Sequence, residues 1–421
     1  MGGVGRRVSL VLCTAGDGVL GVLPGFDVPT PYWQEVREVV EGARGLHGVD
    51  VAVLRLLSAA QETPPDGGDV TYLAEVTGGA VPSLAPWTGP DPLADHPLRM
   101  PWARPGGPRY DVGWAVAALR AAGREPLGRP EQVRTWNLSA LWRLPATDGA
   151  GGRADAWLKV VPPFFAHEGR LLDALQPTGV VPTLLAHGTA RDGCHRSLLA
   201  DVPGEDRYGA GPDDAARFAA LLAGVQADAA VHVGDLLARG VPDRRDAEPL
   251  LAGAQRLLDL TRTGGAGAGR LDPAFADDAR RLVEALPDLL ASERACGLPD
   301  TLVHGDFHPG NVRGVPGAWR ILDWGDGSVG QPAVDLATAT NAFDAAGRRA
   351  VVEAAAGAWR AAGVDADVAG AVGAARPVAA LRAALAWQGF LDRIEPDEHP
   401  YHEGDPAAGL EDAVEAFRRF R

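Results

Sequence analysis

Two carboxylates and an amide lie close together in the stretch Leu302-Val303-His304-Gly305-Asp306-Phe307-His308-Pro309-Gly310-Asn311, followed after a short Gly/Pro turn by Trp319-Arg320-Ile321-Leu322-Asp323-Trp324-Gly325-Asp326. Two short apolar runs, each ending in a carboxylate, predict a hairpin that delivers these polar groups to one point. Hard oxygen ligands of this kind hold magnesium against nucleotide phosphates, and a carboxylate can also orient or accept the proton of an acceptor hydroxyl. Asp306, Asn311 and Asp323 supply both parts, so the inventory fits phosphoryl transfer.

A single lysine, Lys159, stands among 40 basic residues. Its ammonium is a compact donor able to reach α- and β-phosphate oxygens, whereas an arginine fork needs wider, planar space. Heavy use of Ala, Gly, Arg and Pro matches the coding bias of a GC-rich genome, which makes lysine and asparagine rare. Lysine retained in Ala156-Trp157-Leu158-Lys159-Val160-Val161 therefore argues for a task that arginine cannot perform. The strand predicted here ends at Pro162-Pro163, and a helix beginning soon after carries Glu168 on its first turns.

The spacing from Asp306 to Asn311 and the sequence Asp323-Trp324-Gly325 resemble the catalytic loop and the Asp-Phe-Gly of protein kinases. Gly305, where protein kinases have Arg, shifts the resemblance to the aminoglycoside phosphotransferases and their choline-kinase-like relatives, which share the protein-kinase fold. That resemblance implies Asp306 as catalytic base, His304 as the residue that buttresses its loop, and Asn311 and Asp323 as magnesium ligands. It implies Lys159 as the small-lobe lysine on the ATP phosphates and Glu168 as the helix glutamate that orients it. Leu198 to Asp206 looks like the inter-lobe hinge, with backbone from Asp201 to Val202 on the adenine edge. Asn137 and Ser139, on the polar face of the first strand, are expected to line the phosphate-covering turn, with a plain solvent-facing strand as the alternative.

Asp335, in Gln331-Pro332-Ala333-Val334-Asp335, matches a family position that serves structure, and Asp326 is a further support candidate. Glu395 and Glu403 belong to an acidic patch from Asp392 to Asp405, the region from which the family draws acceptor contacts. Clustered carboxylates can hold the ammonium groups of an amino sugar, and a solvated loop is the plain alternative. The implied activity is an ATP- and Mg2+-dependent transfer of the γ-phosphate to a hydroxyl of a small molecule, such as an aminoglycoside or another amino sugar or amino alcohol. A non-catalytic nucleotide-binding regulator on the same fold is the alternative.

The implied fold class is α+β: a bilobal protein-kinase-like fold with a small β-rich N-lobe and a helical C-lobe, preceded by a small α/β module. Apolar runs at Val8 to Cys13, Val19 to Leu23, Val51 to Leu57 and Val70 to Val76, with a helix-period stretch from Tyr32 to Leu46, place that module at residues 1–80. Recurrent proline over 81–108 predicts an extended linker or wrapping loop. Residues 109–203 then read as N-lobe and hinge: a helix from Asp111 to Ala122 stopped by Gly123, and a strand with Trp136, Leu138, Ala140, Trp142 and Leu144 on one face. Residues 204–421 read as the helical C-lobe holding the catalytic loop. Its glycine-rich Thr263 to Arg270 lies between helix patterns and reads as a linker, not as a nucleotide loop.

Within the first module, Leu23-Pro24-Gly25-Phe26 and Arg37-Glu38-Val39-Val40-Glu41-Gly42-Ala43-Arg44-Gly45-Leu46 resemble a Nudix box. Glu41-Gly42 stands where that family has a consecutive glutamate pair for magnesium, so the module reads as a Nudix-like remnant with a packing or regulatory role.

A net charge of −15 argues against a nucleic-acid partner and favours a cationic ligand. Three dispersed cysteines with no zinc spacing fit a reducing cytoplasm. No run of about 18 uninterrupted apolar residues predicts a membrane anchor.

Overall fold

Residues 5–16, 18–60, 67–148, 150–341 and 343–420 are described by a computed structural model, whose chain divides into two units. The first comprises Met1–Ala166, Leu184–Asp201 and Phe390–Glu403, and the second comprises His167–Thr183, Val202–Gly389 and Gly404–Arg421.

In the first unit, the apolar runs near the N-terminus form strands β1 (Arg6–Cys13) and β2 (Val19–Val28), helix α1 (Arg37–His47), and strands β3 (Val49–Ala60) and β4 (Gly68–Gly79). The sheet order is β2-β1-β4-β3, with β1 and β4 parallel and the other neighbours antiparallel. One face packs Val8, Leu10 and Leu12 with Val39 and Ala43 of α1, while Val11, Cys13, Leu54 and Leu73 pack against Trp87 and Leu93 of the proline-rich segment. Burial on both faces explains why β3 reads as a nearly continuous apolar run.

Residues 81–108 contain no helix longer than the 3-10 turn Pro101–Ala103 before α2 (Gly107–Ala121) begins. A second sheet follows, built from β5 (Glu131–Thr135), β6 (Ala140–Leu144), β7 (Ala156–Val161), β8 (Leu184–Thr189) and β9 (His195–Ala200) in the order β5-β6-β7-β9-β8, all antiparallel. Ala115 and Leu119 of α2 pack with Ala140, Leu158 and Leu198 of this sheet.

The single strand expected through Trp136 to Leu144 begins only at Ala140. Residues 136–139 turn the chain between β5 and β6, because the Trp136 N–H donates to the Ser139 carbonyl (3.1 Å) and the indole Nε1 donates to Ser139 Oγ (3.0 Å).

Phe390–Glu403 returns to this first unit as a strap. Tyr401 joins the core of the N-terminal sheet beside Trp33, and Glu395 pairs with Arg99 (2.8 Å) and Arg55 (3.8 Å).

The second unit is mainly helical: α3 (Glu168–Leu175), α4 (Pro212–Ala230), α5 (Val233–Ala238), α6 (Glu248–Thr263), α7 (Ala276–Ala295), α8 (Ala333–Ala339), α9 (Ala345–Ala361), α10 (Val368–Leu391) and α11 (Asp405–Phe420). Its short strands are β10 (Glu205–Asp206), β11 (Thr301–Val303), β12 (Val312–Gly314), β13 (Arg320–Ile321) and β14 (Ser328–Gly330). They do not form the single hairpin expected from the two apolar runs. The run at Leu302 pairs with β14, and the run at Ile321 pairs with β12, so the motif is carried by two small sheets. Gly264 closes α6 with φ +73°, and the glycine-rich segment links α6 to α7.

By length and composition α10 could cross a membrane, with a mean hydropathy of 1.3. Two cores of the helical unit account for that character: Ala371, Val372 and Ala375 pack with α4 and α9, and Val378, Leu381 and Ala384 pack with α6, α7 and α11. Burial on opposite sides makes a core helix apolar all round.

Candidate active site

The backbone of the loop after β11 is held by Asp335 on the first turn of α8. Its Oδ2 accepts from the His304 N–H (2.8 Å) and from Gln226 Nε2 (2.8 Å), and its Oδ1 accepts from the Gly305 N–H (2.9 Å). Burial pushes this carboxyl above its ordinary range, while the two backbone donors work in the opposite direction.

His304 is fully buried between Phe307 and Trp324. Its Nε2 lies 2.8 Å from the Leu322 carbonyl, which only accepts, and its Nδ1 accepts from the Asp306 N–H at 3.3 Å. These partners set the proton on Nε2. His304 thereby links the start of the Asp306 loop to the strand that leads to Asp323.

Gly305 has φ +90°, and a Cβ there would lie 2.5 Å from the Asp326 carbonyl oxygen. Only glycine satisfies both requirements. The Asp326 backbone therefore lies close against the loop at Gly305.

The Asp306 side chain is 53% exposed. Its Oδ2 accepts from Asn311 Nδ2 (3.2 Å), and the same amide nitrogen donates to the Asp306 carbonyl (2.8 Å). With Nδ2 engaged inside the loop, Asn311 Oδ1 is the end of the amide suited to a metal ion. The Leu322 N–H donates to the Asn311 carbonyl (2.8 Å), continuing the β12–β13 pairing and bringing Asn311 and Asp323 to one end of that hairpin. Asp323 is exposed, with φ +59°, a left-handed conformation that is uncommon for a residue other than glycine.

Among the described residues no cluster of three or more His, Cys, Asp or Glu side chains could form a protein-only metal cage. An amide oxygen and a carboxylate, completed by substrate phosphates and water, are instead the donor set magnesium commonly takes. The residues present therefore fit magnesium bound together with a nucleotide.

The other expected nucleotide-contacting residues occupy diverse settings. Lys159 lies on β7, paired in register with Leu141 and Ser197, on the face opposite the buried Leu158 and Val160. Glu168 is the first residue of α3 and is buried. Ser139 Oγ accepts the Trp136 indole, and Ser139 is part of the β5–β6 turn itself. Asn137, in the same turn, is fully buried: Nδ2 donates to the Glu398 carbonyl (3.4 Å) and Oδ1 accepts from His402 Nε2 (3.2 Å).

At the expected hinge, the Asp201 N–H donates to the Asp155 carbonyl (3.0 Å), while the Val202 carbonyl accepts from Arg313 Nε (2.9 Å). What remains is the peptide between them, and a trans peptide points its C=O and N–H in opposite directions. Only one of these two groups could face a base edge.

Two expected acceptor contacts separate. Glu403 is exposed, but both oxygens of Glu395 are buried against the Arg99 guanidinium at 2.8–3.1 Å. Glu395 thus ties the strap to the first unit rather than forming part of a solvated acidic patch, since a buried carboxylate is held by its arginine partner.

Two residues, one in the loop and one bonded to the Asp335 carboxylate that holds it, escaped the sequence reading. His308 Nε2 lies 3.7 Å from Asp306 Oδ2, and Asp306 raises the His308 pKa above its ordinary value. Its place inside the same motif was the available signal. Gln226, fully buried in α4, was marked only by being polar within an alanine- and leucine-rich run.

Comparison with solved structures finds choline kinase from Cryptosporidium parvum at TM-score 0.50 and 9% identity, over 73% of this chain and 96% of that one. A macrolide 2'-phosphotransferase from Brachybacterium faecium matches at TM-score 0.47 and 23% identity, over 70% of this chain and 97% of that one. An ethanolamine kinase from Plasmodium vivax matches at TM-score 0.45 and 12% identity, over 70% and 84% of the two chains. No curated protein matches the sequence. The fold is the α+β protein-kinase-like one, with a β-rich N-terminal region and a helical C-terminal part. Residues 146–371, more than half of the chain and including the Asp306 loop and Asp323, match the phosphotransferase enzyme family, and the chain belongs to that family.

Proposed function

We propose that the chain is an ATP- and magnesium-dependent kinase that phosphorylates a hydroxyl of a small molecule, with Asp306 as the catalytic base. The observation that carries this reading is the Asp306–Asn311 pair: one amide nitrogen bridges the carboxylate and carbonyl of Asp306, holding that side chain in the loop and leaving Asn311 Oδ1 as the end of the amide suited to a metal ion. In the proposed step the acceptor hydroxyl gives its proton to Asp306 Oδ, its oxygen bonds to the γ-phosphorus, and the bond from that phosphorus to the β,γ-bridging oxygen breaks, releasing ADP. Magnesium, held by Asn311 and Asp323, supplies charge neutralisation at the phosphates when bound. Lys159 takes the α- and β-phosphate oxygens, with Glu168 as its orienting partner, and Ser139 belongs to the turn that covers the phosphates.

The net charge of −15 favours a cationic acceptor, an amino sugar or amino alcohol, through the long-range field. Glu403 is the remaining candidate for its ammonium group. ATP supply and three free cysteines favour a cytoplasmic setting.

For residues 1–80 we favour a Nudix-like remnant with a packing role. Two contacts support packing over hydrolysis: Glu38 Oε2 accepts from the Thr30 N–H (2.9 Å), and a Cβ at Gly42 would lie 2.5 Å from the Phe26 ring. A second glutamate at position 42 would require the Phe26 ring to move.

The test is magnesium-dependent ATP consumption across a panel of amino sugars, amino alcohols and neutral sugars, with Asp306→Asn as the blank. Acceptor-stimulated turnover in the parent protein and a loss of about 10²–10⁴-fold in the variant is the expected result. Equal turnover in both proteins would remove Asp306 from the chemistry. Nucleotide binding with no stimulation by any acceptor would favour the regulatory alternative.

A further inference from the structure

A cavity of about 600 Å³ lies wholly within the first unit, and its lining includes none of the residues assigned to phosphoryl transfer. Its size is that of a small-molecule site. One wall is the face of α1 formed by Arg37, Val40, Glu41 and Arg44, whose spacing places them together along the helix. Val112 of α2 and Trp142 of β6 supply further apolar surface.

The arginines in this lining are unevenly matched. Arg44 and Arg129 share Asp50, each at 2.5 Å, and these hydrogen bonds hold the Asp50 carboxyl below its ordinary range. Glu131 pairs with Arg143 (3.3 Å), and Glu75 accepts from the Gly106 N–H (2.6 Å). The side chains of Arg37 and Arg109 make no hydrogen bond or ion pair among the described residues, and Arg37 Nε is buried without an acceptor. The only lining carboxylate without such a partner among the described residues is Glu41, which is exposed on the same helix face and forms no ion pair with Arg37.

Helix stability does not explain these two arginines. Arg37 opens α1 and Arg109 lies in the first turn of α2, where the helix macrodipole disfavours a cation. Neither helix has a side-chain cap at that end. A helix N-terminus attracts an anion, and a guanidinium binds carboxylate or phosphate through paired N–H donors. Two such ends, each carrying an unpaired arginine, border one partly apolar cavity.

We infer that this cavity binds a small organic anion through Arg37 and Arg109, with its phosphate or carboxylate on the guanidinium groups and its apolar body against Val40, Val112 and Trp142. The site is independent of the proposed kinase reaction.

Calorimetric titration of the full chain, with its nucleotide site saturated by magnesium and ADP, tests the inference. Phenyl phosphate and phenylacetate serve as anionic probes and phenyl β-glucoside as the uncharged one. At least one anionic probe should bind at millimolar concentration or better with one-to-one stoichiometry, and the glucoside should not. Arg37→Gln and Arg109→Gln should each weaken that binding about tenfold or more, while Arg120→Gln, on the exposed part of α2, should leave it unchanged. Arg109 is exposed, so its variant reports on binding even if Arg37→Gln perturbs α1. Binding of neither anion, or binding that both variants retain at parental affinity, would overturn the inference.

Discussion

Asp335 is a single buried carboxylate that holds the backbone of the neighbouring loop. It accepts two consecutive loop N–H groups and the Gln226 amide, so the turn that presents Asp306 rests on three hydrogen bonds to one side chain. Asp335→Asn keeps the shape but replaces one accepting oxygen by an NH2 group, which then faces at least one of the three donors. The expected outcome is a loss of about 1–3 kcal/mol in stability and a fall in kcat larger than any rise in KM, measured by denaturant unfolding and steady-state kinetics. Unchanged kcat in a folded variant would show that the loop is fixed by other contacts. That His304, Asp306, Asn311 and Asp323 belong to one local arrangement was legible because they lie at short spacing along the chain. Gln226 was not, because it reaches Asp335 across 109 positions of sequence. That the loop engages Asn311 through Nδ2 likewise depends on which amide end the folded chain occupies.

At the scale of elements, alternation identified strands correctly where a single face is buried, and failed where a turn interrupts it. Trp136 and Leu138 continue the spacing of Ala140, Trp142 and Leu144, yet the hydrogen bonds between Trp136 and Ser139 fold that segment back. The strap at 390–403 was hidden for a different reason: its acidic residues look solvated until their arginine partners, Arg55 and Arg99, are known. Within it, Glu398 is fully buried, and burial reinforced by Glu395 pushes its carboxyl up from 4.5 to about 8. The folded state thus binds a proton that the unfolded chain has already released over that interval. This contribution favours folding below pH about 4.5 and is lost progressively as pH rises towards about 8, with no further change above. Glu398→Gln has no such titration. The parent protein should therefore lose thermal stability relative to the variant on going from about pH 5 to about pH 8. A constant difference in melting temperature across that range would contradict the assignment.

At the scale of the whole chain, sequence order and compactness divide the protein differently. Contiguous spans could be read from patterning alone, whereas the first unit gathers three separated pieces, because residues near 400 complete a core begun near residue 8. Tyr401 packs beside Trp33 at 5.8 Å between ring centroids, and Arg55 on β3 reaches both Glu395 and Asp397. Removing residues 1–80 would therefore expose Tyr401 and leave Glu395 with Arg99 as its remaining arginine partner. Breaking a buried ion-pair network in this way costs about 3–5 kcal/mol, comparable to much of the stability of an ordinary domain. A chain comprising 81–421 should accordingly be poorly soluble or unfold well below the full chain, and its ATP turnover should fall in parallel with the folded fraction. Measuring thermal unfolding and turnover per folded molecule separates this structural role from a regulatory one. A truncated protein that melts with the full chain while its turnover per molecule changes would make residues 1–80 a regulator; matched loss of both would make them part of the fold that the strap requires.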